Sequence, residues 1–223
     1  SGSGIVADPD RDFGALFATL ADVPDAVWDR AILDSDLLIR RVPSDRRAAL
    51  AAMARRVGGE VAATQHGGES LAPTTWAHCL GLKIGAESGP LFASFTEPAT
   101  IGLNRESLAA AESLLQRSGS APRLGPVPLA EVLVAHELFH YWEMHLPDLP
   151  TSARQPDILR LGPFHRAARL SSLGEIAAMA FAQALTGLPF SPFALTAALL
   201  WPQDRSAAEA YCAAVRAPPG AAS

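Results

Sequence analysis

The stretch PLAEVLVAHELFHYWEMHL, Pro128–Leu146, contains His136-Glu137-Leu138-Phe139-His140 inside a segment with the marks of a helix. Pro128 suits a first helical position, Glu131 favours the positive end of a helix, and Pro147 marks a stop. Residues four apart on an α-helix differ by about 40° around its axis, so His136 and His140 project side by side. Two imidazoles so placed can grip one metal ion, and Glu137, one residue's rotation away, can reach a water on it. Two nitrogen ligands, an acidic base and an open coordination position are what a zinc hydrolase needs. With 6 His in the chain, H-E-x-x-H arises by chance about one time in a hundred. Leu129, Val132, Leu133, Val134, Leu138, Phe139 and Trp142 make the segment apolar on most sides, which predicts a buried core helix. The plainer alternative, two core histidines bonded to backbone with Glu137 at the surface, leaves several polar groups each needing its own partner.

Working outward, 223 residues with 49% hydrophobic and 18% charged content predict one folded domain over residues 5–223. Ser1-Gly2-Ser3-Gly4 reads as a leftover from cloning. A helical part over 5–80, a core carrying the H-E-x-x-H helix over 81–187 and C-terminal helices over 188–223 are expected. A net charge of −5 argues against nucleic-acid binding, and no apolar run reaches the roughly 18 residues of a membrane span. Cys79 and Cys212 form no C-x-x-C and read as buried free thiols of a cytoplasmic protein.

Helices are predicted at Asp10–Val23, Asp25–Leu38 and from Ser44 to Gly58-Gly59. Arg46, Arg47, Arg55 and Arg56 of the third read as a solvated face. Gln65–Ser70 reads as a polar break carrying a surface histidine, His66, before a short helix at Leu71–Leu80. Leu82–Glu87 and Leu91–Leu103 carry strand signals and suggest a hairpin, with Pro98 marking an edge or bulge. Asn104 is the expected N-cap of a helix reaching about Arg117, and Ser118–Val127 reads as a loop. The proline-rich stretch from Pro147 to about Phe164 reads as a long irregular loop able to line a cleft. Ala167–Thr186, Pro192–Trp201 and Asp204–Val215 are the remaining helices.

A catalytic zinc usually takes a third protein ligand. Glu175 is the first candidate, a lone carboxylate among Leu173, Ile176, Ala177, Ala178, Met179, Ala180 and Phe181. Glu143, three residues after His140, is the second, either as a ligand or as a carboxylate orienting a histidine. His145, five positions past His140, has the wrong rotation.

The H-E-x-x-H at His136–His140, followed downstream by Glu175 in Gly174-Glu175-Ile176-Ala177-Ala178, resembles the gluzincin zinc metallopeptidases, in particular the small minigluzincin-like kind. The resemblance covers about Leu82–Gly187; N-E-x-x-S-D is absent around Glu175, as is a third histidine of the metzincin pattern. It implies zinc (Zn2+) held by His136, His140 and Glu175, Glu137 as general base, and a peptide or protein substrate laid along an edge strand near Leu91–Phe95. For the developing oxyanion, His165 is taken over Tyr141, Tyr211 and Arg166 because it follows the long loop and precedes Glu175 by ten residues. A zinc-binding regulatory protein without catalysis and a hydrolase of non-peptide amides are the alternative functions. The expected fold is α+β and mostly helical, zincin-like, with a small, mainly antiparallel sheet packed on the H-E-x-x-H helix.

Overall fold

Helix α3 (Ser44–His66) runs on through the Gly58-Gly59 pair that reads in the sequence as its end. The reason lies across an interface. A Cβ on Gly58 would sit 2.1 Å from the carbonyl oxygen of Ala177 and 2.9 Å from the backbone nitrogen of Phe181. Both belong to another long helix, α7 (Ser171–Thr186). Gly58 is there to let two backbones approach, and the packing so gained offsets the roughly 1 kcal/mol that a mid-helix glycine costs. Ala51, Ala54, Val57, Val61, Ala62 and His66 continue the buried face at helical spacing.

The computed structural model describes residues 9–39, 42–67, 71–152, 155–161, 164–168 and 170–216, with only the backbone described for 155–161 and 164–168. Before α3 come α1 (Pro9–Ala21) and α2 (Asp25–Ser35); after it come α4 (Pro73–Cys79) and the strands β1 (Lys83–Ala86), β2 (Ala93–Thr96) and β3 (Thr100–Leu103). Then follow α5 (Arg105–Arg117), α6 (Leu129–His145), β4 (Gln155–Leu161), β5 (Phe164–Ala168) and, beyond α7, α8 (Phe193–Leu200) and α9 (Arg205–Arg216). This is a mostly helical α+β fold. Asn104 caps α5 as expected, its Oδ1 accepting from the Ser107 N–H at 3.1 Å.

The sheet departs from expectation. Leu91–Leu103 is two strands, not one, broken by the turn through Pro98. Antiparallel β2 and β3 form the hairpin, with Ala93 opposite Leu103. Strand β1 joins β3 from the other side and runs parallel, Lys83 opposite Thr100. The order β1-β3-β2 makes the sheet mixed rather than mainly antiparallel, and leaves β2 at an edge. Pro147–Phe164 is not an irregular loop throughout, because β4 and β5 form a second antiparallel pair. Pro156 falls in the register shift between Gln155 and Leu159, where a strand tolerates proline.

The arginines of α3 are less solvated than their pattern suggests. Arg55 bonds Asp29 through Nε and Nη2, at 2.8 and 2.6 Å, and also reaches Asp25 on α2 and Gln183 on α7. Arg47 bonds Asp34 at 2.6 Å, while Arg56 remains exposed beside Glu60. Cys79 and Cys212 are both free, but only Cys212 is buried. Among the described residues, no helix is long and apolar enough to cross a membrane.

Helix α6 lies at the centre. Strands β2 and β3 and helices α3, α4, α5 and α7 all contact it. Leu129, Val132, Val134, Ala135, Leu138 and Phe139 are buried around it. Its first turn is tied to α4 by Glu131, whose carboxylate accepts from the Thr74 N–H and hydroxyl at 2.9 and 2.7 Å.

The neighbouring glycines of α3 are expected to respond to alanine with opposite signs. A Cβ on Gly59 meets nothing within 4 Å. Gly59→Ala should therefore stabilise the protein by up to about 1 kcal/mol, whereas Gly58→Ala should destabilise it by about 1–3 kcal/mol through overpacking. Urea unfolding of the two variants checks the pair.

Candidate metal centre

Helix α6 presents His136 and His140 one turn apart, with their Nε2 atoms 3.2 Å from each other. Helix α7, packed against it, brings Glu175 across both rings. Glu175 Oε2 lies 3.3 Å from His136 Nε2, and its Oε1 lies 3.6 Å from His140 Nε2. The three side chains are the one group among the described residues with His, Cys, Asp or Glu atoms gathered closely enough to share a metal ion. The spacing lets the three side chains reach one small metal ion. Ligands at about 2.0–2.1 Å in tetrahedral array stand about 3.3–3.4 Å apart; here the two Nε2 atoms are 3.2 Å apart, and the two Glu175 oxygens lie 3.3 and 3.6 Å from one ring each. The site lies at the surface of the core. His136 and His140 are mostly covered, while the side chain of Glu175 is 47% exposed.

The electrostatics follow from this convergence. Burial pushes the Glu175 carboxyl up, but the hydrogen bond from His136 and the charges of both imidazoles win and hold it at about 2. Burial pushes His136 down, and the bond to Glu175, helped by the charges of Glu137 and Glu175, more than reverses it. Glu137 is 6% exposed. Burial raises its carboxyl above the ordinary range, against the pull of His136 and His140. A carboxylate poised to hold a proton therefore stands beside the cluster without belonging to its ligand set. Glu87, whose carboxylate accepts the Ser94 hydroxyl across the sheet, adds a further upward push on Glu137.

The other candidates fall in different places. Glu143 lies behind His140, its Oε2 3.5 Å from Nδ1, the ring nitrogen turned away from the cluster. His145 stacks on Tyr141, with Nδ1 2.8 Å from that residue's own carbonyl oxygen. Tyr211 donates its hydroxyl to the Phe193 carbonyl at 2.9 Å, tying α9 to α8, so it is committed elsewhere. His165 is on β5 opposite Arg160, and its side chain lies outside the described residues, as does that of Arg166.

His66, expected at the surface, is buried near the end of α3. Its Nε2 accepts the Trp142 indole N–H at 2.9 Å, and the rings of Trp76, Trp142 and Phe181 surround it. The signal was available: with α3 prolonged past Gly59, His66 falls on the stripe of Gly58 and Ala62. His66 thus ties α3 to the helices that carry the cluster. Compared with known protein families, curated proteins and solved structures, the chain matches none.

Burial pushes the His66 imidazole down from 6.5 to about 4. The unfolded chain therefore takes up this proton first. The stability that depends on a neutral His66 is complete above pH 6.5 and lost as pH falls from 6.5 toward 4. The loss amounts to about 3 kcal/mol across that window. His66→Gln keeps an acceptor for Trp142 without the titration. Urea unfolding in metal-free buffer at pH 7.5 and 4.5 should show a shallower loss in the variant; equal slopes would remove His66 from the account.

Proposed function

We propose that this protein is a zinc-dependent metallopeptidase of gluzincin type, with a zincin-like fold. The observation that carries the proposal is the convergence of His136 Nε2, His140 Nε2 and the Glu175 carboxylate, whose Oε2 lies 3.3 Å from the first ring and whose Oε1 lies 3.6 Å from the second. The buried Glu137 beside it, whose carboxyl burial raises above the ordinary range, supports catalysis over a purely structural role. So do the two side chains best placed to close the site as a fourth ligand. Glu143 faces Nδ1 of His140 instead, and His145 turns back to the Tyr141 carbonyl.

In this reading His136, His140 and Glu175 hold the ion. When bound, zinc polarises a carbonyl and lowers the pKa of a water molecule toward neutrality. Glu137 takes the proton from the attacking water and hands it to the leaving amine, and its burial raises its affinity for that proton. The peptide lies along β2, whose one partner in the sheet is β3, and adds to its outer edge through main-chain hydrogen bonds. His165 is the proposed donor to the developing oxyanion.

Elemental analysis of the purified protein should find about one zinc per chain, and Glu175→Ala should lose it. Glu137→Gln should retain the metal while peptide hydrolysis falls by about 10²–10⁴-fold. Stoichiometric zinc in Glu175→Ala would refute the ligand set, and undiminished turnover in Glu137→Gln would refute the base.

A further inference from the structure

The two histidines of the cluster are supported differently from behind. His136 Nδ1 is buried and has no hydrogen-bond partner among the described residues. His140 Nδ1 faces the Glu143 carboxylate, with Oε2 at 3.5 Å. That carboxylate is only 8% exposed. Burying a carboxylate so far is costly unless polar groups meet it.

Three elements converge to meet it. Helix α6 places Glu143 one turn after His140, on the same face. The segment following α6 supplies Thr151, fully buried, whose hydroxyl donates to Glu143 Oε1 at 3.2 Å. Helix α7 supplies Gly174, the residue before Glu175. A Cβ there would stand 3.2 Å from Oε1, 3.4 Å from Oε2 and 3.7 Å from Cδ of Glu143. The position without a side chain therefore adjoins the carboxylate, and the next residue is the one that closes the cluster.

We propose that Glu143, held by Thr151 and given room by Gly174, is a positioning residue for His140. It accepts the Nδ1–H, fixes the ring's rotation, and reserves the Nε2 lone pair for the cation. An imidazole anchored at its rear nitrogen by a carboxylate is a more basic and better oriented ligand. The support is one-sided, since the rear nitrogen of His136, Nδ1, meets no polar partner among the described residues. This inference rests on the metal reading for its consequence, but not for its geometry, which concerns the chain's own groups.

The test uses the full chain and two independent measurements. Zinc affinity, by competition with a chromophoric chelator, should fall about 10- to 100-fold in Glu143→Ala. It should fall less in Glu143→Gln, which keeps an acceptor oxygen. Nitrogen-15 NMR of the metal-free protein reads the histidine tautomers directly. Neutral His140 should carry its proton on Nδ1 in the wild type and lose that preference in Glu143→Ala, with His136 unaffected. Should Glu143→Ala fail to fold, Thr151→Val and Gly174→Ala disturb the carboxylate without deleting it, and both should weaken zinc binding and the tautomer preference. An unchanged tautomer and unchanged affinity in the folded variants would overturn the proposal. Absence of zinc binding in the wild type, with the tautomer shift still present, would overturn the metal reading and leave the role of Glu143 standing.

Discussion

The structure depends on how closely helix α7 can lie between α3 and α6. On one side, Gly58 of α3 has no side chain, and the backbone of α7 at Ala177 occupies the space. On the other, Gly174 of α7 has none, and Glu143 of α6 occupies that space. Two missing Cβ atoms thus set the position of α7 against both neighbours. The two Nε2 atoms and the Glu175 oxygens are separated by 3.2–3.6 Å, so their convergence depends on where α7 lies against α6.

The polar groups around this helix are arranged by the same constraint. Glu175 and His136 stabilise one another's charges, while Glu137, buried a step away, keeps its proton more tightly. His66 sits between α3, α6 and α7 as a neutral acceptor in an aromatic enclosure. Arg55 reaches from α3 to Gln183 of α7 at 3.4 Å and clamps Asp29 of α2 at the same time. The polar contacts and the bare helix faces hold one arrangement between them.

What the sequence makes legible is what depends on local spacing. His136 and His140 follow from a four-residue period, and Glu175 stands out because a carboxylate has no business in an apolar helix unless something meets it. Glu143 is legible for the same periodic reason, three residues beyond His140. Illegible were the features whose cause lies in a distant segment. Gly58 reads as a stop because the helix it accommodates is more than a hundred residues away. His66 then reads as a loop residue, since its partners Trp76, Trp142 and Phe181 come from three other elements. The four-residue strands are too short for alternation to separate β2 from β3, and nothing local distinguishes a parallel from an antiparallel neighbour for β1.

The order of these elements along the chain has a consequence for biosynthesis. A ribosome releases the two histidines of α6 well before α7. Until α7 is made, the face of α3 at Gly58 and the Glu143 carboxylate both lack the helix that packs on them in the folded protein. In the folded protein the one late helix covers the first and adjoins the second. A chain interrupted before α7 therefore lacks both the Glu175 carboxylate and the helix that positions it, so the cluster cannot assemble from the segments up to α6 alone.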